Sequence, residues 1–174
     1  ALITIIVLLA LIIGGSILWY STHQPSVSAD PVDAIPISAA VIISYPNITE
    51  AWDAFEERDY YDVLAPIKEL DVFFYRNQLL DSLIRYDQDL KSMLGSSTIW
   101  SSYHPSANDS LLVFHAIQPT RKNENRVLKT FHNALSTQGT VSEQKVGEQL
   151  IYKLVISKPF NVMYYAVKNG LILT

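Results

Sequence analysis

The chain contains no cysteine. That excludes disulfides, Cys-ligated zinc, iron–sulfur clusters, a thiol nucleophile and a lipid-modified cysteine anchor. Glycine is scarce, six residues spread over 174 positions, and no Gly-rich phosphate loop can be assembled from them. Positive charge is missing from the whole front of the chain. No Lys or Arg precedes Arg58, and no charged residue of either sign precedes Asp30. In total, 13 Lys+Arg stand against 17 Asp+Glu, a net charge of −4, too few cations for a nucleic-acid surface. With 49% hydrophobic residues the chain is not a disordered tail.

What is there begins with one long apolar run, residues 1–20, ALITIIVLLALIIGGSILWY. Twenty residues at 1.5 Å rise span roughly 30 Å, the thickness of the hydrocarbon core. Twelve of them are Leu, Ile or Val, which favours insertion by about 5 kcal/mol. Trp19 and Tyr20 close the run where an interfacial aromatic belt would anchor it. Ala10, Gly14 and Gly15 form a small-residue patch on which a second membrane helix could pack. A cleaved signal peptide is the competing reading, with Val27-Ser28-Ala29 as its cleavage site. Signal cores are shorter, about 7–15 residues, so the run reads as a retained transmembrane helix in contact with the lipid bilayer. The side that follows it lacks cations and is therefore the translocated side, so the bulk of the chain is expected outside the cytoplasm. The chain starts without Met or a basic flank, from which a few missing cytoplasmic residues are expected.

Residues 21–36, STHQPSVSADPVDAIP, hold three prolines and no apolar periodicity, and they read as a stiff tether. Residues 37–174 then read as one α+β domain, expected to continue beyond Thr174, which ends in mid-strand. Ala39–Tyr45 is a short apolar run suited to a buried strand. Asn47 three before Glu50 marks a helix start, with Trp52 and Phe55 on its inward face. Pro66 opens a longer helix from Ile67 to about Leu94. Its stripe is Val72, Tyr75, Leu79, Leu83, Tyr86, Leu90 and Met93, and Asp81–Arg85, Arg85–Asp89 and Asp87–Lys91 are pairs on its polar side. Strands follow at Ser97–Tyr103 and Ser110–Ile117, then a helix over Glu124–Ser136 with Val127, Leu128, Phe131 and Leu135 inward. Four strands close the chain, about Thr140–Val146, Gln149–Ser157, Asn161–Lys168 and Leu171–Thr174, with Asn169-Gly170 as a hairpin turn. The connections predict a largely antiparallel sheet with helices packed on one face.

Motifs for chemistry are thin. His23, His104, His115 and His132 are scattered, with no paired-His spacing, so neither a metal nor any cofactor is expected. His104 reads as a turn residue that could reach Asp109. No Gly-x-Ser-x-Gly elbow exists, and Ser101 and Ser102 read as polar strand positions. Glu56, Glu57, Asp59 and Asp62 cluster beside Tyr60 and Tyr61. Two close carboxylates could cleave a glycan, against the plainer reading of a solvated helix end with an Arg58–Asp62 pair. Arg121, Lys122, Arg126 and Lys129 make a small basic face that could touch a partner or acidic lipid. Asn47 and Asn108 head glycosylation sequons, relevant only in a eukaryotic secretory route.

Three stretches carry a resemblance. They are Ile35-Pro36-x-x-Ala39-Ala40-Val41-Ile42-Ile43 leading to Asn47 and Trp52; STIWSSYHPSANDSLLVFHAI, through Ser102, His104, Asn108, Asp109, Leu112 and Phe114; and the closing LIYKLVISKPFNVMYYAVKNGLIL. Together behind an N-terminal anchor they resemble a group of bacterial envelope proteins, mainly of Bacteroidetes, whose domain has no assigned function. The resemblance implies a protein held in the bacterial inner membrane with its bulk in the periplasm, and it brings no catalytic residues. The expectation is a non-enzymatic, single-pass accessory or scaffold subunit of an envelope complex, with protein partners. A ligand-sensing extracytoplasmic domain is the alternative, and an envelope glycan hydrolase is third.

Overall fold

The computed structural model describes residues 29–105, 111–120, 123–157 and 160–174. After a 3₁₀ turn at Pro31–Ala34 come β1 (Val41–Tyr45), α1 (Ile48–Glu56), α2 (Asp59–Leu64) and a second 3₁₀ turn, Lys68–Leu70. Then follow α3 (Asp71–Tyr86), α4 (Gln88–Leu94), β2 (Ile99–Pro105), β3 (Leu111–Ile117) and α5 (Glu124–Ser136). The chain closes with β4 (Thr140–Val146), β5 (Gln149–Ser157), β6 (Phe160–Lys168) and β7 (Leu171–Leu173). The seven strands make one sheet in the order β1-β2-β3-β7-β6-β5-β4, with every neighbouring pair antiparallel. The α+β class and the antiparallel sheet agree with the sequence reading. Among the described residues no helix is long and apolar enough to cross a membrane. Residues 1–20, read as the membrane helix, lie outside the described residues, and so do Ala10, Gly14, Gly15, Trp19 and Tyr20.

The last strand in sequence is the central one in space. β7 bridges two halves through Ala116↔Leu173↔Ala166 and Ile117↔Ile172↔Val167. One step further, His115 and Thr174 exchange backbone hydrogen bonds of 3.0 Å each. Beyond that step a side chain takes over. The half-buried guanidinium of Arg76 on α3 donates to the Val113 carbonyl at 2.6 Å and to the Val162 carbonyl at 3.4 Å, one on β3 and one on β6. The hairpin that delivers β7 works as its residues demand: Asn169 has φ 52° and Gly170 φ 77°, two left-handed positions matching the twist of the flanking strands. At the other hairpin entry, Gly139 lets β4 approach β5, since a Cβ there would lie 2.3 Å from the Val155 carbonyl oxygen.

Register assigns the faces. Ile99 pairs with Ile117 and Tyr152 with Tyr165, and these residues lie with Leu80, Leu90, Phe131 and Leu154 in one core between sheet and helices. α5 supplies Val127, Phe131, Ala134 and Leu135 to that core, with Leu128 half-buried beside it.

The long helix expected from Ile67 to Leu94 is two helices. Asp87 breaks it, with φ −100° and ψ 113°, and its carboxylate accepts from the Leu90 amide at 2.9 Å to start α4. An extended residue between two helices preserves the apolar spacing, so periodicity alone reads through it. Tyr86, last in α3, is consequently exposed. α2 was not expected, and Pro66 falls in the turn after it. Of the three expected pairs on the polar side only Asp81–Arg85 forms among the described residues, at 2.8 Å: Arg85 turns to Asp53 on α1 rather than to Asp89, and the Asp87 carboxylate caps α4. The stretch read as a tether up to residue 36 is part of the fold from Ala29 onward. Pro31 is buried, Asp30 caps the 3₁₀ turn, and the Ala29 amide donates to the Asn169 carbonyl at 3.1 Å.

A candidate binding pocket beside the β1 edge

β1 follows from a proline-bounded apolar run, but it lies at an edge of the sheet. Val41 is 51% exposed, Ile42 47% and Ile43 42%. The sequence expectation of a buried strand is corrected here, because an apolar run reports strand propensity and not position in the strand order. Two residues after β1, Asn47 caps α1. Its side-chain Oδ1 accepts from the Thr49 amide at 3.0 Å, and its Nδ2 donates to the Glu50 carboxylate at 3.1 Å. That tight turn folds α1 back over the helix-facing side of the strand.

Between them opens a pocket of about 510 Å³, lined by Ile43 and Tyr45 of β1, Ile48, Trp52 and Phe55 of α1, and Phe73 and Asn77 of α3, among others. The volume is in the range of small-ligand and side-chain sites. Its wall is aromatic: Trp52 stacks on Phe55 at 5.6 Å, Phe55 meets Phe73 edge-on at 6.0 Å, and Phe73 meets Tyr103 at 5.6 Å. Exposed Ala54 and Arg58 line it too and form its rim.

Beneath the apolar wall runs a buried polar chain. Asn77, Ser101 and His115 are all buried. Ser101 Oγ lies 2.6 Å from His115 Nδ1 and is also hydrogen-bonded to the Tyr45 hydroxyl. The Tyr45 hydroxyl donates to Asn77 Oδ1 at 3.4 Å, and Asn77 Nδ2 donates to the Phe73 carbonyl at 2.8 Å. Burial, helped by the charge of Arg76, pushes the His115 pKa down to about 3, so the ring is neutral. His115 Nε2 has no partner among the described residues, and a buried lone pair without a donor costs less than a buried N–H without an acceptor. The proton therefore sits on Nδ1, and donation runs from His115 to Ser101 to Tyr45 to Asn77. This chain holds a serine and a histidine together but is oriented the wrong way for nucleophile activation: the serine accepts from the ring. Burial raises the pKa of the Tyr45 and Tyr103 hydroxyls, keeping both as neutral donors at the pocket floor.

Other expected residues fall elsewhere. His104 is not a turn residue: it is buried in β2, with Nδ1 3.1 Å from Ser38 Oγ and Nε2 2.9 Å from Ser102 Oγ. His132 on α5 pairs with the Tyr165 hydroxyl at 2.9 Å. Among the described residues no group of His, Cys, Asp or Glu is placed to hold a metal. Glu56, Glu57, Asp59 and Asp62 are exposed, none lines the pocket, and the Arg58–Asp62 pair does not form. Tyr61 packs edge-on against Trp52 instead, 6.5 Å away, without lining the pocket. Arg126 and Lys129 are exposed on α5, on the far half of the domain from the pocket, and Arg121 and Lys122 lie outside the described residues.

Sequence reading found Trp52 and Phe55 but missed Ile43, Tyr45, Phe73, Asn77 and Tyr103 as one site. The Trp52, Phe55 and Arg58 spacing, three residues each time, was the available signal. Comparison with protein-family models, curated proteins and solved structures finds no match. The resemblance to the envelope group therefore rests on its motifs alone.

Proposed function

We propose that this chain is a non-enzymatic, single-pass accessory or scaffold subunit of a cell-envelope complex. In this reading residues 1–20 anchor it in the bacterial inner membrane, with Trp19 and Tyr20 at the interface and the domain in the periplasm. Ala10, Gly14 and Gly15 are available for helix packing in the bilayer. The domain's working surface is the β1–α1 flank. One observation carries this: an uncharged, exposed edge strand runs directly beside a half-open aromatic pocket. Soluble domains blunt such edges unless they are used. None of the exposed carboxylates of the acidic cluster lines the pocket described above, so the pocket gives the hydrolase reading no support.

The experiment is affinity purification of the tagged full-length protein from its native membrane in mild detergent. Ile42→Lys and a foreign membrane helix in place of residues 1–20 are the two comparisons. The reading expects stoichiometric partner proteins, lost in the Ile42→Lys variant; a protein that emerges alone contradicts it. A ligand-sensing role is the second reading, favoured by the pocket volume and by the Tyr103 hydroxyl, which has no hydrogen-bond partner among the described residues. It expects a small apolar molecule, retained by the purified domain and released by filling the pocket with Ala51→Trp, since Ala51 of α1 also lines it.

A further inference from the structure

We infer that the β1–α1 flank receives an extended basic peptide segment of a partner protein, which pairs with β1 and places one apolar side chain in the aromatic pocket. The inference rests on the protein-binding reading above and names the partner's chemistry.

Geometry sets the register. A strand added to the side of β1 that pairs with no strand among the described residues places the residue opposite Ile43 with its Cβ about 4.5–5.5 Å away, on the same face of the sheet. That face is the helix-facing one, since Ile43 pairs with Ser101 and lines the pocket. The incoming side chain thus stands at the mouth bounded by Ile43, Ala54 and Arg58, above Trp52 and Phe73. Leucine, methionine or phenylalanine suits such a wall. The neighbours on either side point to the other face, opposite Ile42 and Ser44, and need only favour extended structure.

Charge sets the sign of the partner. Residues 47–62 carry six carboxylates and one cation, Arg58. Asp53 is held by Arg85 and Glu50 by the Asn47 amide, whereas Glu56, Glu57, Asp59 and Asp62 make no ion pair among the described residues. At 100° per residue Glu50 and Glu57 lie on one side of the helix, one step round from Ala54 at the mouth. The partner residues two before and two after the inserted side chain share its face and meet these carboxylates, so lysine or arginine belongs there. A second copy of β1 is a poor occupant by the same reasoning, because it would bring two acidic α1 helices together.

The probe is the synthetic heptapeptide Thr-Lys-Val-Leu-Thr-Lys-Thr, titrated into the full-length protein in mild detergent. Amide exchange across Val41–Tyr45 reads strand pairing, and the Trp52 indole resonance reads the pocket. Saturable binding is expected, with new protection in β1 and a shifted indole signal. Replacing both lysines by glutamate, or using the Ala54→Lys protein, is expected to weaken binding by about tenfold or more. Proline in place of the valine, or aspartate in place of the leucine, is expected to abolish it. Equal binding of the glutamate peptide overturns the inference, as does protection that falls outside β1. A protein that sediments as a dimer and becomes monomeric with Ile42→Lys also overturns it, in favour of a second copy. The native purification separates the two levels. Partners lost with Ile42→Lys while the probe stays silent overturn the basic-peptide inference and leave the protein-binding reading standing. Partners retained with Ile42→Lys overturn both.

Discussion

The two edges of one sheet face opposite fates. β4, TVSEQKV, is mostly polar, and Glu143 and Lys145 make it a poor template for another strand. β1, VIISY, has no charge and no proline, and it exposes three β-branched residues. The ground behind them differs in the same sense. Behind β4 the aromatics pack on one another: Phe131 meets Tyr165 at 5.4 Å, and Tyr165 stacks on Tyr152 at 5.2 Å with its hydroxyl tied to His132. Behind β1 the aromatics line an open pocket instead. One half of the domain spends its aromatic residues on packing, and the other displays them. A protein under selection only for folding would protect both edges alike.

The contrast can be broken from the closed side first. Phe131→Ala removes a fully buried ring and is expected to cost about 3–5 kcal/mol in denaturant unfolding, with the β1 flank unchanged in the surviving native protein. A cost below about 1 kcal/mol would mean that the α5 half is not the stabilising one. Next is the tie between the halves. Arg76→Met leaves the Val113 and Val162 carbonyls without their donor, and a loss of about 1.5–3 kcal/mol is expected by the same measurement.

The third effect is a pH dependence. His115 stays neutral in the folded protein down to about pH 3, whereas an unfolded histidine takes up its proton near pH 6.5. Between those values the unfolded chain binds the extra proton, so stability rises with pH across the window and is fully present above it. The slope is at most about 1.4 kcal/mol per pH unit from this group. His115→Gln is expected to flatten that part of the profile; an unchanged profile would contradict the buried, neutral assignment. The smallest effect on stability belongs to the displayed edge. Ile42→Lys is expected to change unfolding free energy by no more than about 0.5 kcal/mol, since Ile42 is half exposed.

The halves also differed in how readable they were. α5 is legible because all its signals are local: Asn123 caps it, and Val127, Phe131 and Leu135 recur at one spacing. The Asn169-Gly170 hairpin is legible for the same reason. On the other side, Asp87 interrupts the helix without disturbing the apolar rhythm, so the break is silent. The pocket was not legible as a unit. Tyr45 and Ser101 meet across 56 residues and Ser101 and His115 across 14, contacts set by strand order and register. No local pattern carries that information, and the same ignorance of strand order turned an exposed edge into an expected buried strand.

The measurement closest to the central claim is site-specific photo-crosslinking in the native cell, with the reactive group placed at Ile42 on β1 or at Gln144 on β4. The account predicts a discrete crosslinked partner from Ile42 and none from Gln144. Crosslinks from Gln144 alone, or silence at both positions, would contradict the assignment of β1 as the edge kept open for a partner.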